Sequence, residues 1–376
     1  MMPVMRPWLG EEEVEATAAA IRSGWIAQGP RVAEFEARLA EFVGNEHGVA
    51  VSSCTTGLHL VLHALGIGPG DEVVVPSLSF IASSNAPRYV GATPVFADVD
   101  GTTANLTVDS ISAVLTERTA AVIAVHQVGM PVQLDEIRTL CRRRGLQLIE
   151  DAACAAGSFF GDDRIGAGPD PVVFSFHPRK LLTTGEGGMV VTADADLAAR
   201  LTALRQHAMS VSAFDRHSQD ATAFEEYPEL GFNFRMTDIQ AAVGLVQLRK
   251  LDEMVEHRRS LAAAYESALA ALPGLTTPHD PEYGKTNFQS YTVRVGPEFP
   301  VSRNDLIAEL HSRGISTRRG VMAAHREAAF AEIVHAPLPT TELLADGVII
   351  LPMFHDMTTD DVAVVVDAIA EVSSSG

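Results

Sequence analysis

In FSFHPRKLLTTGEGGMV, residues 174–190, an apolar run ends in a short loop bearing Ser175, His177 and Lys180, and a glycine-rich turn leads into a second apolar run. A lysine amine condenses with a cofactor aldehyde to give an imine, and a serine five residues earlier can hydrogen-bond that cofactor's phosphate. A lysine alone in a loop is ordinarily a solvated surface charge, so the chemistry assigned to Lys180 depends on its neighbours.

The first neighbour is Asp151, at the carboxyl end of LQLIED, a run apolar enough to be central in a sheet. A carboxylate there is costly without a partner. Two readings stand: an N-cap for the following AACAA, or an ion pair with the protonated pyridine nitrogen of pyridoxal phosphate (PLP), which keeps the ring an electron sink. Beside Lys180 the ion pair is favoured. A second neighbour is VSSCTTGLHLVLHALG, where small polar residues lead from a strand into a helix. The amides of Thr55 and Thr56 would face an anion such as a phosphate, or the residues serve simply as a cap. Phe80, in VPSLSFIAS, either stacks on a flat ring from the face opposite Lys180 or belongs to the core. His59 and His63 have the i, i+4 spacing of zinc helices but no accompanying glutamate, so they read as structural and no metal site is expected. GIGPGD precedes a strand and is not a dinucleotide fingerprint, and no Walker lysine motif is present.

The elements that must hold these groups are legible as alternation. Short apolar runs at VAVS (49–52), DEVVVPS (71–77), TPVFADV (93–99), AAVIAVHQ (120–127), LQLIED (146–151), VVFSF (172–176) and GMVVTA (188–193) are separated by helical patterns such as Val32, Phe35, Leu39 and Phe42. This predicts an α/β domain with a mostly parallel central sheet flanked by helices. A long helical stretch opens at Thr237, a plausible N-cap. Beyond it a strand in SYTVRV, a helix from Ser302 to Ser312, a strand in GVIILPM and a helix after Thr358 have the mixture of a smaller α+β domain. The expected division is 1–250 for the large domain and 251–376 for the small one, with the extreme N-terminus packed on the small domain. Residues 209–231 lack periodicity and read as a long loop acting as a lid or subunit contact.

At 376 residues the chain exceeds what one core usually serves. Its 28 basic and 48 acidic residues give a net charge of −20, which opposes binding to nucleic acid or anionic lipid. An anionic small substrate is still compatible, because helix N-termini and a few arginines make a pocket locally positive. Cys54, Cys141 and Cys154 suggest neither a disulfide framework nor a metal knuckle. With no apolar run near the ~20 residues that span a bilayer and no leader pattern, a soluble cytoplasmic protein is expected.

Over nearly its whole length the chain resembles the DegT/DnrJ/StrS family of sugar aminotransferases, on SGWIAQGPRVAEFE (23–36), SSCTTGLHL (52–60), GDEVVVPSLSFIASSNA (70–86), EDAACAAG (150–157), SFHPRKLLTTGEGG (175–188), GFNFRMTDIQAAVGLVQL (231–248) and LPMFHDMTTDDV (351–362). The resemblance implies the fold-type I PLP architecture, with Lys180 as Schiff-base lysine and general acid/base, Asp151 at the pyridine nitrogen and Phe80 on the ring. It also implies that Ser175 and the Thr55 and Thr56 amides bind the phosphate, and that Asn233 reaches the phosphate of a neighbouring subunit in a homodimer with shared active sites. Trp25 and the 209–231 loop would line a sugar-nucleotide pocket, and Arg235 would take the amino donor's carboxylate. Cys154 stands where relatives commonly carry a glutamine that bonds the cofactor's phenolic oxygen. Relatives with histidine in place of the lysine are dehydratases, and Lys180 argues against that branch. The implied activity is amino transfer from glutamate or glutamine, through pyridoxamine phosphate, to a nucleotide-linked keto sugar, a 4-keto-6-deoxyhexose by preference. A 3-keto sugar nucleotide and a cyclitol ketone are the alternatives. A non-catalytic regulatory protein on the same fold is disfavoured by the presence of both Lys180 and Asp151.

Overall fold

The computed structural model describes residues 1–210 and 226–375. Every apolar run expected to be a strand is one: β1 His47–Val51, β2 Glu72–Pro76, β3 Thr93–Ala97, β4 Thr119–Val125, β5 Gln147–Asp151, β6 Val172–Ser175 and β7 Gly188–Thr192. They form one seven-stranded sheet in the order β1-β7-β6-β5-β4-β2-β3. β2 pairs in parallel with β3 and β4, β4 with β5, and β5 with β6, whereas β7 runs antiparallel to both β6 and β1. The mostly parallel sheet is therefore as expected. Its strands read as continuous apolar runs because helices cover both faces.

On one face Val32, Phe35 and Leu39 of α2 (Pro30–Val43) pack with Val74, Val122 and Val172. On the other, Leu58, Val61 and Leu62 of α3 (Cys54–Ala64) pack with Val73, Val75, Ile123 and Val190. His59 and His63 belong to this packing: His59 lies 4.9 Å and His63 5.2 Å, centroid to centroid, from the Phe232 ring.

The long helix, α4 (Asp238–Leu269), starts at the predicted cap. The Thr237 hydroxyl accepts from the Gln240 amide at 3.2 Å and the Gln240 side chain accepts from the Thr237 amide at 3.0 Å. Ala241, Leu248, Leu251 and Met254 pack into the large sheet's core, and Leu261, Tyr265 and Leu269 into a separate core further on, so residues 250 and 251 lie inside one continuous helix. The second core is built on a four-stranded antiparallel sheet of β8 (Leu275–Thr276), β9 (Tyr291–Val295), β10 (Arg318–Arg319) and β11 (Val348–Leu351), ordered β8-β9-β11-β10. The second half of α4 packs into this core together with α5 (Arg303–Ser312) and α6 (Thr359–Ser375). Met2 forms a bridge with Ile315 and packs against this core. Among the described residues no helix is long and apolar enough to cross a membrane. The 209–231 loop falls largely outside the described residues.

The cores bury several weak acids. Tyr265 and Tyr291 stack at 4.7 Å, and burial pushes both hydroxyls upward. Burial pushes the Cys141 thiol up to about 11, and burial with the nearby Asp151 charge pushes Cys54 well above the ordinary range. In the unfolded chain a cysteine ionises near pH ~8.5. The stability these groups contribute is thus whole below that pH and is lost as pH climbs toward their folded-state values. The thermal midpoint should fall progressively between pH ~8.5 and ~11. A midpoint that holds steady over that interval would contradict this account.

Candidate active site

The carboxyl ends of the parallel strands gather the predicted residues. Asp151, the last residue of β5, is 4% exposed. Its carboxylate accepts from Ser83 Oγ at 2.7 Å and from the Ala153 amide at 3.1 Å, with the Cys54 sulfur at 3.8 Å. The segment after it forms turns and no helix, so the helix-cap reading of Asp151 reduces to the single Ala153 contact. All three donors are neutral, since the Cys54 thiol is held protonated. A buried anion solvated only by neutral groups is complemented by a cation. Ser83 was not anticipated. It lies in the helix Ile81–Tyr89, and its only signal was the i, i+3 spacing from Phe80 that puts both at the same helix start.

Lys180 sits in the loop after β6, its amide donating to His177 O at 2.8 Å. Its Nζ donates to Cys154 Sγ at 3.0 Å. Burial alone would lower its pKa, but Cys154, Cys54 and Asp151 more than offset this, and the net shift is upward. Because Cys54 is a neutral thiol at pH ~7, Asp151 is its carboxylate partner in that environment. Asp151 therefore helps hold a proton on Nζ, and a cation set against Asp151 would weaken that hold.

The other side of the site is the start of α3. Ser53 is its N-cap: its hydroxyl accepts from the Thr56 amide at 3.1 Å, and Thr56 Oγ1 accepts from the Ser53 amide at 3.0 Å. The first-turn amides left without an intrahelical acceptor are those of Cys54 and Thr55. Ser175 pairs with Gly188 across β6 and β7. A Cβ on Gly188 would fall 2.6 Å from the Cys54 nitrogen, so Ser175 and the α3 N-terminus meet over a position that only glycine can occupy.

Phe80, just after β2, is 67% exposed, which removes the core reading. Asn233 is exposed because the flanking Phe232 and Phe234 stack on each other at 4.8 Å and turn toward His59, and alternation directs Asn233 outward. Arg235 and Trp25 are half-buried, and the Trp25 loop docks on the start of α4 through Asp238 N to Ala27 O at 2.9 Å. Lys180, Cys154, Asp151 and Cys54 thus form one cluster, with Ser175 and Thr55 beside it. Phe80 and Asn233 lie on exposed surface.

Nothing in the sequence pointed to residues 286–289. Asn287 Nδ2 donates to Cys154 O at 2.9 Å and to Ala156 O at 2.8 Å. Gln289 Oε1 accepts from Leu181 N at 3.1 Å, and its Nε2 donates to Arg179 O at 2.5 Å. Such long-range side-chain bonds to backbone have no local signature.

A mostly parallel sheet whose strand ends present a buried carboxylate, a lysine and a helix N-terminus to one face suits a PLP-dependent transferase, and the similar structures below place the fold in type I. The sequence model of the DegT/DnrJ/EryC1/StrS aminotransferase family matches residues 7–370, and this chain belongs to that family. Among solved structures it is similar to the aminotransferase TlmJ from Streptoalloteichus hindustanus, at 36% identity over 100% of this chain and 99% of TlmJ, with a TM-score of 0.91. It is also similar to DesI, solved with its TDP-sugar product, at 36% identity over 99% of this chain and 93% of DesI, with a TM-score of 0.88. A third similar structure is Spr1654 from Streptococcus pneumoniae in its PLP form, at 26% identity, covering 100% of this chain and 99% of Spr1654 with a TM-score of 0.92. The chain is a PLP-dependent sugar aminotransferase.

Proposed function

We propose that this enzyme transfers the amino group of glutamate or glutamine to a nucleotide-linked keto sugar, with a 4-keto-6-deoxyhexose as the first choice of acceptor. The observation that carries the site assignment is the buried Asp151, solvated by neutral donors alone and sharing its surroundings with Lys180. Bound PLP supplies an aldehyde for covalent attachment of amines and an electron sink for the carbanion left when a neighbouring proton departs.

Asp151 would meet the pyridine nitrogen of that ring, and Phe80 would cover one face of it. Ser175, the Thr55 amide and its neighbour on Cys54 would hold the phosphate, with Thr56 contributing through the cap it shares with Ser53. Lys180 Nζ, released from the pull of Asp151 when that charge is paired, would carry the proton between the substrate's α-carbon and the cofactor. Cys154 approaches Lys180 from the side where relatives commonly carry glutamine, and its sulfur is a weaker partner for the phenolic oxygen.

Exposure of Phe80 and Asn233 on one chain supports a homodimer in which Asn233 completes the neighbour's phosphate site, with Trp25 and Arg235 toward the substrate. TDP-sugar binding by DesI supports a nucleotide sugar as acceptor. A cytoplasmic location is part of the same proposal. The test is incubation of the enzyme, PLP and glutamate or glutamine with a panel of 4-keto and 3-keto nucleotide sugars and a cyclitol ketone, with the product detected by mass. Amination of the cyclitol ketone alone would overturn the nucleotide-sugar reading.

Gly188→Ala tests the phosphate side. The added methyl must displace the Ser53–Cys54 backbone, an overpacking expected to cost about 1–3 kcal/mol and to weaken PLP binding. Thermal melting and a spectroscopic PLP titration check both effects, and wild-type values in both would remove the α3 N-terminus from the site.

A further inference from the structure

We infer that Gln289 is a positioning residue for Lys180, gripping the backbone on both sides of it, an inference that rests on Lys180 being the cofactor-bearing lysine. Gln289 is 6% exposed and spends both ends of its amide on the lysine loop: Oε1 accepts from Leu181 N at 3.1 Å and Nε2 donates to Arg179 O at 2.5 Å. Lys180 is the one residue between those two contacts. The clamp is itself anchored. The Gln289 amide donates to Asn287 Oδ1 at 2.8 Å, and Arg258, buried in α4, donates to the carbonyls of Phe288 and Gln289 at 3.0 and 3.1 Å and to Met353 O at 3.1 Å. Phe288 between them has a φ of 47°, a left-handed conformation that a phenylalanine rarely adopts and that the surrounding bonds must enforce.

The same turn grips the opposite wall. Asn287 Nδ2 holds Cys154 O at 2.9 Å, while Cys154 Sγ receives Lys180 Nζ at 3.0 Å. One turn, residues 287–289, thus sets the position of both partners across the gap. It leads directly into β9, so the gap is referenced to the smaller core and not only to the large sheet. A side-chain amide suits this task because it offers an acceptor and a donor at once, whereas a carboxylate offers only acceptors.

Gln289→Met keeps the volume and removes both contacts; Gln289→Glu keeps the acceptor for Leu181 N and loses the donor to Arg179 O. Loosening the loop should lower kcat by about 10- to 100-fold while leaving the KM for the keto sugar within about twofold. In cofactor-free protein, Lys180 modification by acetic anhydride, followed by peptide mass against pH, should show the Lys180 midpoint shifted downward as Nζ drifts from Cys154 and from the Asp151 carboxylate. Gln289→Glu should have a kcat between those of Gln289→Met and wild type, with the Lys180 midpoint held up by the added negative charge, and its kcat decides the matter if Gln289→Met does not fold. Folded variants with wild-type kcat and a wild-type Lys180 profile would overturn the inference. Borohydride reduction of the wild-type enzyme separates the two levels: an adduct on Lys180 with unaffected variants sinks only the clamp, whereas an adduct on another lysine sinks the premise and the clamp together.

Discussion

Lys180→Ala should reduce amino transfer by at least about 10³-fold, since on the roles proposed for Lys180 the variant loses both the covalent anchor and the acid–base group, the latter alone worth about 10²- to 10⁴-fold. The fold should persist. Among the described residues Nζ has one hydrogen-bonding partner, Cys154 Sγ at 3.0 Å, and a thiol left without it is a small, weakly polar group that tolerates burial. Borohydride should leave no cofactor on the variant after denaturation, whereas wild type carries it on the peptide containing Lys180. Lys180→Arg is the informative companion, because it restores the positive charge beside Asp151 without an amine able to condense. If either variant keeps more than a hundredth of wild-type kcat, Lys180 is not the reacting lysine.

Asp151→Asn is expected to lower kcat/KM by about 10²- to 10³-fold, the scale of removing one partner from a buried ion pair. The substitution is nearly isosteric and should fold. The asparagine oxygen can accept from the Ala153 amide as Oδ1 does now at 3.1 Å, and the Ser83 hydroxyl, now a donor at 2.7 Å, can rotate to accept from the new amide. The charge is what disappears. Two readouts should therefore move together: the visible spectrum of bound PLP, reporting its ring nitrogen, and the pKa of Lys180 in cofactor-free protein. Asp151 contributes to the upward shift of that lysine, so its neutralisation should move the Lys180 midpoint down. A variant with reduced rate but an unmoved Lys180 midpoint would mean that Asp151 acts only on the cofactor.

Much of this site was legible because its parts lie at strand ends, and strand ends can be read from short runs. LQLIED placed Asp151 and VVFSF placed Ser175, since strands covered on both faces of a sheet read as mostly apolar runs and these two residues stand where the runs stop. The α3 N-terminus was visible for a similar reason: small polar residues between a strand and a helix have a local task. The same logic anticipated Thr237, whose capping contacts span three residues.

What escaped were groups whose partners are distant in the chain. Ser83 reaches Asp151 across 68 residues, Gln289 reaches Arg179 across 110 and Asn287 reaches Cys154 across 133. Phe80 was undecided in the sequence because an aromatic after a strand serves a core or a ligand equally well, and only its exposure separates the two.

By itself the sequence determined which chemistry was available here: a lysine and an aspartate at the ends of apolar strands, a capped helix, and a parallel sheet to carry them. Those properties are encoded in local pattern, periodicity and the cost of burying charge. Only the tertiary structure decided how far apart the reactive groups stand. That spacing depends on loops brought together by Asn287, Gln289 and Arg258, whose hydrogen bonds exist only once both cores have packed against the two halves of α4.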